Sequence, residues 1–244
     1  MTALSPHPPL PEYYSEAGQR ERFVRDLFDD TAPWYDWALA LMSFGSAGRY
    51  RRQALERAGI KRGDAILDIA TGTGAVARAG IAVAGGSDRV IGLDPSIGML
   101  QAGRAKTGVR IVQATSERLP FANASFDAIT IGFAMRHFAD LNTVFKECRR
   151  VLKPGGRLLI LEITAPQSPV ALALLGLYMG LIVPALITVL SRQRKVGRLM
   201  RYYWVTTRDC VRPEVILEAL RQSGLTGAQR HVEVGVFSEY TGAA

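Results

Sequence analysis

Cysteine is scarce. Two in 244 residues, Cys148 and Cys210, exclude a disulfide scaffold and read as reduced thiols. Histidine is nearly as rare. His7, His137 and His231 are scattered, neither cysteine sits in a C-x-x-C pair, and no metal site is expected. Acidic residues fall short of basic ones, 22 against 30, leaving a net charge of +8 and a pI near 9.8. Such a surplus calls for an anionic partner, either nucleic acid or a membrane surface. The arginines gather in "RYRRQALER", "CRRVLK" and "RQRKVGRLMRYY", with no aromatic-rich RNA motif and no helix-turn-helix signature, which sets nucleic acid aside. The N-terminus carries no charged start, apolar stretch and cleavage site in series, so the expected compartment is the cytoplasm.

What is present is apolar and rhythmic. At 48% hydrophobic the chain can bury one good core, with room for an insertion but hardly for a second domain. Residues 1–18 hold a proline cluster and no periodicity, and are expected to form a mobile arm ahead of a domain over 19–244. From about 20 to 58 apolar residues recur at three and four, a helical cap, broken around Pro33 and Gly45. Over about 60–165 the rhythm changes. "AILDIA" (65–70), "RVIGLD" (89–94), "VRIVQA" (109–114), "FDAITIGF" (126–133) and "RLLILEI" (157–163) suit strands buried on both faces. Helical segments at 75–84, 96–106 and 139–152 separate them, which predicts an α/β fold with a parallel sheet and right-handed crossovers. An apolar insertion follows over about 168–200, then a helix and a terminal hairpin over about 212–244.

The first strand runs into a glycine turn, "LDIATGTG". A Walker loop needs a Lys-Ser or Lys-Thr pair after its second glycine, and "GTGAVARAG" has none. A dinucleotide fingerprint is met by Gly72, Gly74 and Ala77, yet Asp68 would then stand near a pyrophosphate that the helix N-terminus attracts. A ligand with an ammonium and no phosphate accommodates both features. S-adenosylmethionine is such a ligand. Asp68 would hold its amino group, Gly72 and Gly74 would let it approach the backbone, and Asp94, ending the second strand, would accept both ribose hydroxyls.

"LDIATGTG", "VIGLDPSIGML", "FDAITIGFAMRHFAD" and "RVLKPGGRLLILEIT" together resemble the class I S-adenosylmethionine methyltransferases, most closely the quinone-biosynthesis C-methyltransferases. In "YDWALALMSFGSAGRY", Tyr35, Asp36 and Ser43 match that family's first signature, while Leu39, Ala47 and Tyr50 replace its asparagine, histidine and tryptophan. The resemblance implies a Rossmann-like seven-stranded, mostly parallel sheet with helices on both faces and an antiparallel last strand. It implies cofactor contacts from Asp68, Thr71, Gly72, Gly74, Asp94, Pro95, Met99, Thr115 and Ser116, with Thr115 where the family usually has an acid. The family's Arg-Asn pair becomes Arg136-His137. The acceptor so implied is a lipophilic quinol methylated at ring carbon. Alternatives are N- or O-methylation of a phospholipid or natural product, and a non-catalytic cofactor-binding component; a nicotinamide oxidoreductase is remote.

A ring carbon becomes nucleophilic when its neighbouring hydroxyl ionises, so a base and a cation contribute. His137 is the expected base or orienter and Arg136 the phenolate's partner; the competing reading makes His137 a cap of the helix at "FADLNTVF" and Arg136 a surface ion-pair member. Tyr35 is expected to close over the cofactor, and Asp36 is the rival base.

Residues 170–190, "VALALLGLYMGLIVPALITVL", carry no charge and are long enough to cross a bilayer. Gly176, Gly180 and Pro184 interrupt the run, and crossing would divide the sheet. The expected form is a broken helix pair at an anionic membrane surface or lining a greasy mouth, helped by Arg192, Arg194, Lys195, Arg198 and Arg201. The protein is then peripheral to the inner face of the membrane.

Overall fold

The computed structural model describes residues 3–14, 16–43 and 47–244. Gly45 and the side chain of Ser43, both singled out above, lie outside the described residues.

Four short apolar runs become parallel strands: β1 (Ile66–Ile69), β2 (Val90–Asp94), β3 (Arg110–Gln113) and β4 (Phe126–Gly132). The fifth, β5 (Leu152–Ile163), is longer than its motif because "LKPGG" continues the strand backwards. All four residues of β1 are buried, as a strand covered on both faces requires. The terminal hairpin, β6 (Thr226–Glu233) and β7 (Phe237–Ala243), adds at the far edge, and β7 runs antiparallel to β5. The seven-stranded order is β3-β2-β1-β4-β5-β7-β6.

Helices cover both faces. α5 (Leu141–Val151) buries Leu141, Val144, Phe145, Cys148 and Val151, the spacing of one helical stripe, and Asp140 caps it by accepting from Asn142 N. It shares one core with Leu220 and Ile216 of α9 (Pro213–Gln222). On the opposite face, α2 (Ala47–Arg57) and α3 (Ala75–Ala84) bury Leu55, Val76 and Ala77 against Ile66 and Val90. A third core joins the cap helix α1 (Ala17–Ser43) to α7 (Val183–Ser191) and α8 (Arg194–Arg208) through Leu27, Ala38, Ile187 and Tyr202.

Two expectations are corrected. The segment over 1–18 is not a loose arm where it is described. Leu10 and Tyr14 are buried in the third core, Leu4 N–H donates to Asp140 Oδ1 at 2.7 Å, and Val211 N–H donates to Pro6 O at 2.7 Å. Its prolines restrict the unfolded backbone, so laying it down loses less entropy, and its backbone polar groups bond although no periodicity announced them. The apolar insertion is one helix rather than a broken pair. α6 (Pro169–Gly176) continues through a π turn (Leu177–Ile182) into α7, giving 23 residues over Pro169–Ser191. The wider turn accommodates Pro184, whose ring would crowd a regular helix. Gly176 and Gly180 act as contact points instead of breaks, since a Cβ on either would come within 2.9 Å and 2.7 Å of the Trp204 indole.

Candidate active site

At the carboxyl end of the sheet the chain leaves β1 and β4, adjacent strands from which the order runs in opposite directions, and a crevice opens between them. Each strand is followed at once by a non-glycine residue in the left-handed region, Ala70 at φ 52° and Phe133 at φ 59°. Strain of this kind collects where a site constrains the backbone. Both residues, with Tyr35, Gly72, Gly132 and Tyr203, line two cavities that meet there.

The first cavity is a slot along the ends of β2 and β3. Asp94, Pro95, Met99, Thr115, Ser116 and His137 line it. Asp94 is held by Gly72 N–H on Oδ2 and Ser96 N–H on Oδ1, both at 2.9 Å, and burial, followed by the nearby Asp68 and Asp29, pushes its pKa up to about 6. The second cavity, about 530 Å³, carries Asp68, Thr71, Thr73, Arg51 and Arg136 on its polar side. Its apolar wall comes from Leu39, Met42, Leu175, Tyr178, Met179 and Phe237. Asp68 accepts from Thr71 Oγ1 at 2.6 Å and Thr130 Oγ1 at 2.7 Å, yet burial still raises its pKa to about 6. Two hydroxyls do not replace the water lost by a carboxylate; a cation would. Arg51 Nε is buried in the same cavity without a partner.

S-adenosylmethionine fits this donor set: an ammonium would satisfy Asp68, a carboxylate would satisfy Arg51, and a ribose diol lies within the chemistry of Asp94. The glycine turn keeps the backbone low, as Gly74 at φ 81° opens α3 and a Cβ there would lie 2.6 Å from Thr107 Cγ2. Gly74 itself lines neither cavity; it shapes the turn that Gly72 presents.

A profile of the ubiE/COQ5 methyltransferase family matches residues 16–242. The chain belongs to that family. It is therefore an S-adenosylmethionine-dependent methyltransferase. The ubiquinone/menaquinone biosynthesis C-methyltransferase UbiE of Hahella chejuensis is 31% identical over 92% of each chain. A demethylmenaquinone methyltransferase of Symbiobacterium thermophilum is 36% identical over 66% of this chain and 64% of its own. Among solved structures, a SAM-dependent methyltransferase of Thermotoga maritima has a TM-score of 0.63 at 19% identity, covering 90% of this chain and 98% of that one. A Haemonchus contortus phosphoethanolamine N-methyltransferase, solved with S-adenosylhomocysteine, has a TM-score of 0.59 at 21% identity over 85% of this chain and 46% of that one.

Within this methyltransferase the expected catalytic pair is divided. Arg136 lines the apolar cavity, whereas His137 lines the slot along β2 and β3. His137 stacks on Tyr202 and Tyr203 at 5.4 Å and 5.8 Å, both ring nitrogens lack partners, and burial followed by the Arg136 charge drives its pKa well below 6.5. It caps no helix either, since Asp140 fills that position. Asp36 is also displaced from the expected role. It lines neither cavity, accepts from Thr73 Oγ1 and from Lys106 Nζ at 2.5 Å, and these bonds outweigh burial to hold its carboxyl low, which makes a weak base. It latches α1 to the glycine turn. Tyr35 lines both cavities, with its hydroxyl 2.7 Å from that of Tyr203. His137→Phe keeps the stack and removes the imidazole. Turnover should stay within about threefold of the wild type, because loss of a working base costs roughly 100-fold or more. A drop of that size in a kcat measurement would restore His137 as the base.

Four contributors escaped the sequence reading. Glu162 had a signal, being the one charge in the buried, otherwise apolar second half of β5, residues 158–163. It pairs with Arg136, both 1% exposed. Arg51 and Thr73 were masked by neighbours of equal composition, in "RYRR" and between two glycines. Tyr203 carried no mark at all.

Proposed function

We propose that this methyltransferase alkylates a ring carbon of a polyprenyl benzoquinol or naphthoquinol taken from a membrane surface. The observation that carries this is the apolar cavity beside Arg136, continuous with the cofactor residues and walled by the charge-free insertion. Bound S-adenosylmethionine supplies an electrophilic methyl group. The chain's own residues supply place and charge. Asp68 and Arg51 hold the two ends of the amino-acid portion, Asp94 the ribose, and Thr115, Ser116 and Met99 the base. Arg136 faces the acceptor and lowers the cost of negative charge on the ring oxygen next to the attacking carbon. Glu162 fixes that guanidinium from behind, with Thr206 Oγ1 accepting from Nε at 3.1 Å. The Tyr35–Tyr203 bridge keeps water from above.

The outer face of the insertion supports the membrane reading. Only 22% of its most apolar stretch is buried, and Leu174, Leu177, Leu181 and Val189 are exposed. The helix packs on α8, whose Arg194, Arg198 and Arg201 are exposed, Arg198 with its guanidinium over Tyr13 and Phe23. Trp34 and Trp37 of α1 are exposed as well, in register with Asp30, which pairs with Lys195 of α8. Because β5 precedes the insertion and β7 follows it in one sheet, the helix lies on the membrane instead of crossing it. Leu174→Glu with Leu181→Glu, both at exposed positions, should leave the melting temperature within about 2 °C. Association with anionic vesicles in a flotation assay should fall roughly tenfold or more. Unchanged flotation sinks the interfacial reading.

The acceptor is tested by transfer of label from methyl-labelled S-adenosylmethionine to a reduced lipid extract, with the product identified by mass. A labelled quinone supports the proposal. Label in a phospholipid discards the quinol, and no transfer despite cofactor binding favours a non-catalytic component.

A further inference from the structure

The apolar cavity has two lips. One is the inner face of the insertion, with Leu175, Tyr178 and Met179. The other is the turn of the terminal hairpin, with Val234, Val236 and Phe237. The second lip breaks a local rule. Val236 N–H donates to Glu233 O at 3.3 Å, closing a β-turn whose central residues are Val234 at φ 51° and Gly235 at φ 73°. Two positive φ values are the signature of a type I′ turn, which favours Asn-Gly. A β-branched residue fits the first position badly, because its Cβ substituents crowd the backbone there. Packing does not compensate: Val234 is 81% exposed, more than any other large hydrophobic side chain among the described residues. An exposed, strained valine at the rim of an apolar cavity is a local conflict with no structural return, the pattern found where function overrides folding.

We propose that the gap between these lips is the exit for the hydrocarbon tail of the acceptor, and that Val234 makes the hairpin lip wettable by lipid, so that the tail passes into the bilayer without crossing water. The occupant of the mouth is thus an isoprenoid or acyl chain of a membrane-dissolved acceptor. This rests on the membrane-facing reading above. Both lips meet the same lipid phase: the insertion carries its exposed leucines on the outside and the cavity wall on the inside, and the hairpin turn closes the other edge of that wall. The Glu233 carboxylate at this edge is paired, and the exposed Arg49 also lines the cavity. Glu233 pairs with Arg57 at 2.8 Å, and Arg57 reaches on to the buried Glu239 at 2.5 Å. A polar base under an apolar tip matches the boundary between headgroups and chains.

The substitution that tests this is Val234→Asn, which should relieve the turn. The melting temperature should hold or rise by roughly 2 °C, since a favoured turn residue replaces a disfavoured one. Turnover of a short-tailed, water-soluble quinol should be unchanged. Turnover of a long-tailed polyprenyl quinol in phosphatidylglycerol vesicles should fall roughly tenfold or more, the loss equivalent to one valine's transfer from water. A variant that is more stable yet slower only on the vesicle-borne acceptor identifies the lip. Equal turnover of the vesicle-borne acceptor by both proteins overturns it. A second readout does not depend on the acceptor being a quinol. An environment-sensitive dye on Val234→Cys, in a chain with Cys210→Ser, should shift to the blue on addition of the same vesicles. No shift, with the protein still bound to the vesicles, overturns the lip even if the quinol reading stands; a shift without any quinol turnover retains the lip and removes the quinol.

Discussion

Asp68→Asn should abolish tight cofactor binding while leaving the fold intact or improved. The carboxylate is buried, and the rise of its pKa from 3.8 to about 6 corresponds to roughly 3 kcal/mol of destabilisation in the ionised apo protein. Asparagine keeps an oxygen for the Thr71 or Thr130 hydroxyl and removes the charge. The apo melting temperature at neutral pH should therefore stay level or rise. S-adenosylhomocysteine affinity, read by calorimetry, should fall roughly 100-fold or more, because an ammonium would be buried without its counter-charge. Full affinity in the variant would mean the amino group lies elsewhere.

The same carboxylates set a pH dependence whose two parts run in opposite directions. Asp68 and Asp94 both have folded-state values raised to about 6. A raised carboxyl destabilises the fold above that value and stops doing so once protonated, so this contribution favours the apo protein as pH falls through 6. The liganded protein needs the anions, and affinity falls over the same interval. The stabilisation by S-adenosylhomocysteine in a thermal scan should be largest above about pH 7 and shrink steeply below about pH 6. Because two carboxyls are protonated over the same interval, the loss should be steeper than for one proton, although the Asp68 charge acting on Asp94 spreads the two steps. A flat profile from about pH 8 to about pH 5 contradicts the assignment of both residues.

Arg136→Ala should be severe in two ways that a second variant separates. Removing the guanidinium strands Glu162, already raised by burial, inside the protein, at a cost of about 3–5 kcal/mol. The melting temperature should drop accordingly. Arg136→Met with Glu162→Leu replaces the pair by apolar groups of similar volume and should recover most of that stability. Methyl transfer should not recover. If Arg136 stabilises charge on the acceptor, kcat should stay about 100-fold or more below the wild type in the double variant, with S-adenosylhomocysteine affinity near normal. Recovery of turnover along with stability would reduce Arg136 to a structural cation.

Much of the frame was legible because its signals are local. Short, mostly apolar runs named the strands of a parallel sheet, and the helix at Ala75–Ala84 falls where its pattern placed it. The glycine turn with Asp68 and Asp94 was readable because strand order and spacing bring those residues together whatever the rest of the chain does. Longer-range relations were not readable. Adjacent residues 136 and 137 end in different cavities because a single turn after β4 points successive side chains in different directions. Asp36 looked like a base in a motif, yet Lys106, 70 residues away, holds it ionised.

By itself, the sequence determined the class of fold, the cofactor and the presence of a long apolar insertion, since periodicity, turn chemistry and charge are written in neighbouring residues. The tertiary structure decided the rest: that the N-terminal prolines pack, that the insertion is one helix, that Arg136 answers to Glu162, and that Val234 stands exposed at the cavity rim. Each of these depends on which distant surfaces exclude water together, and exclusion of water is a property of the assembled chain.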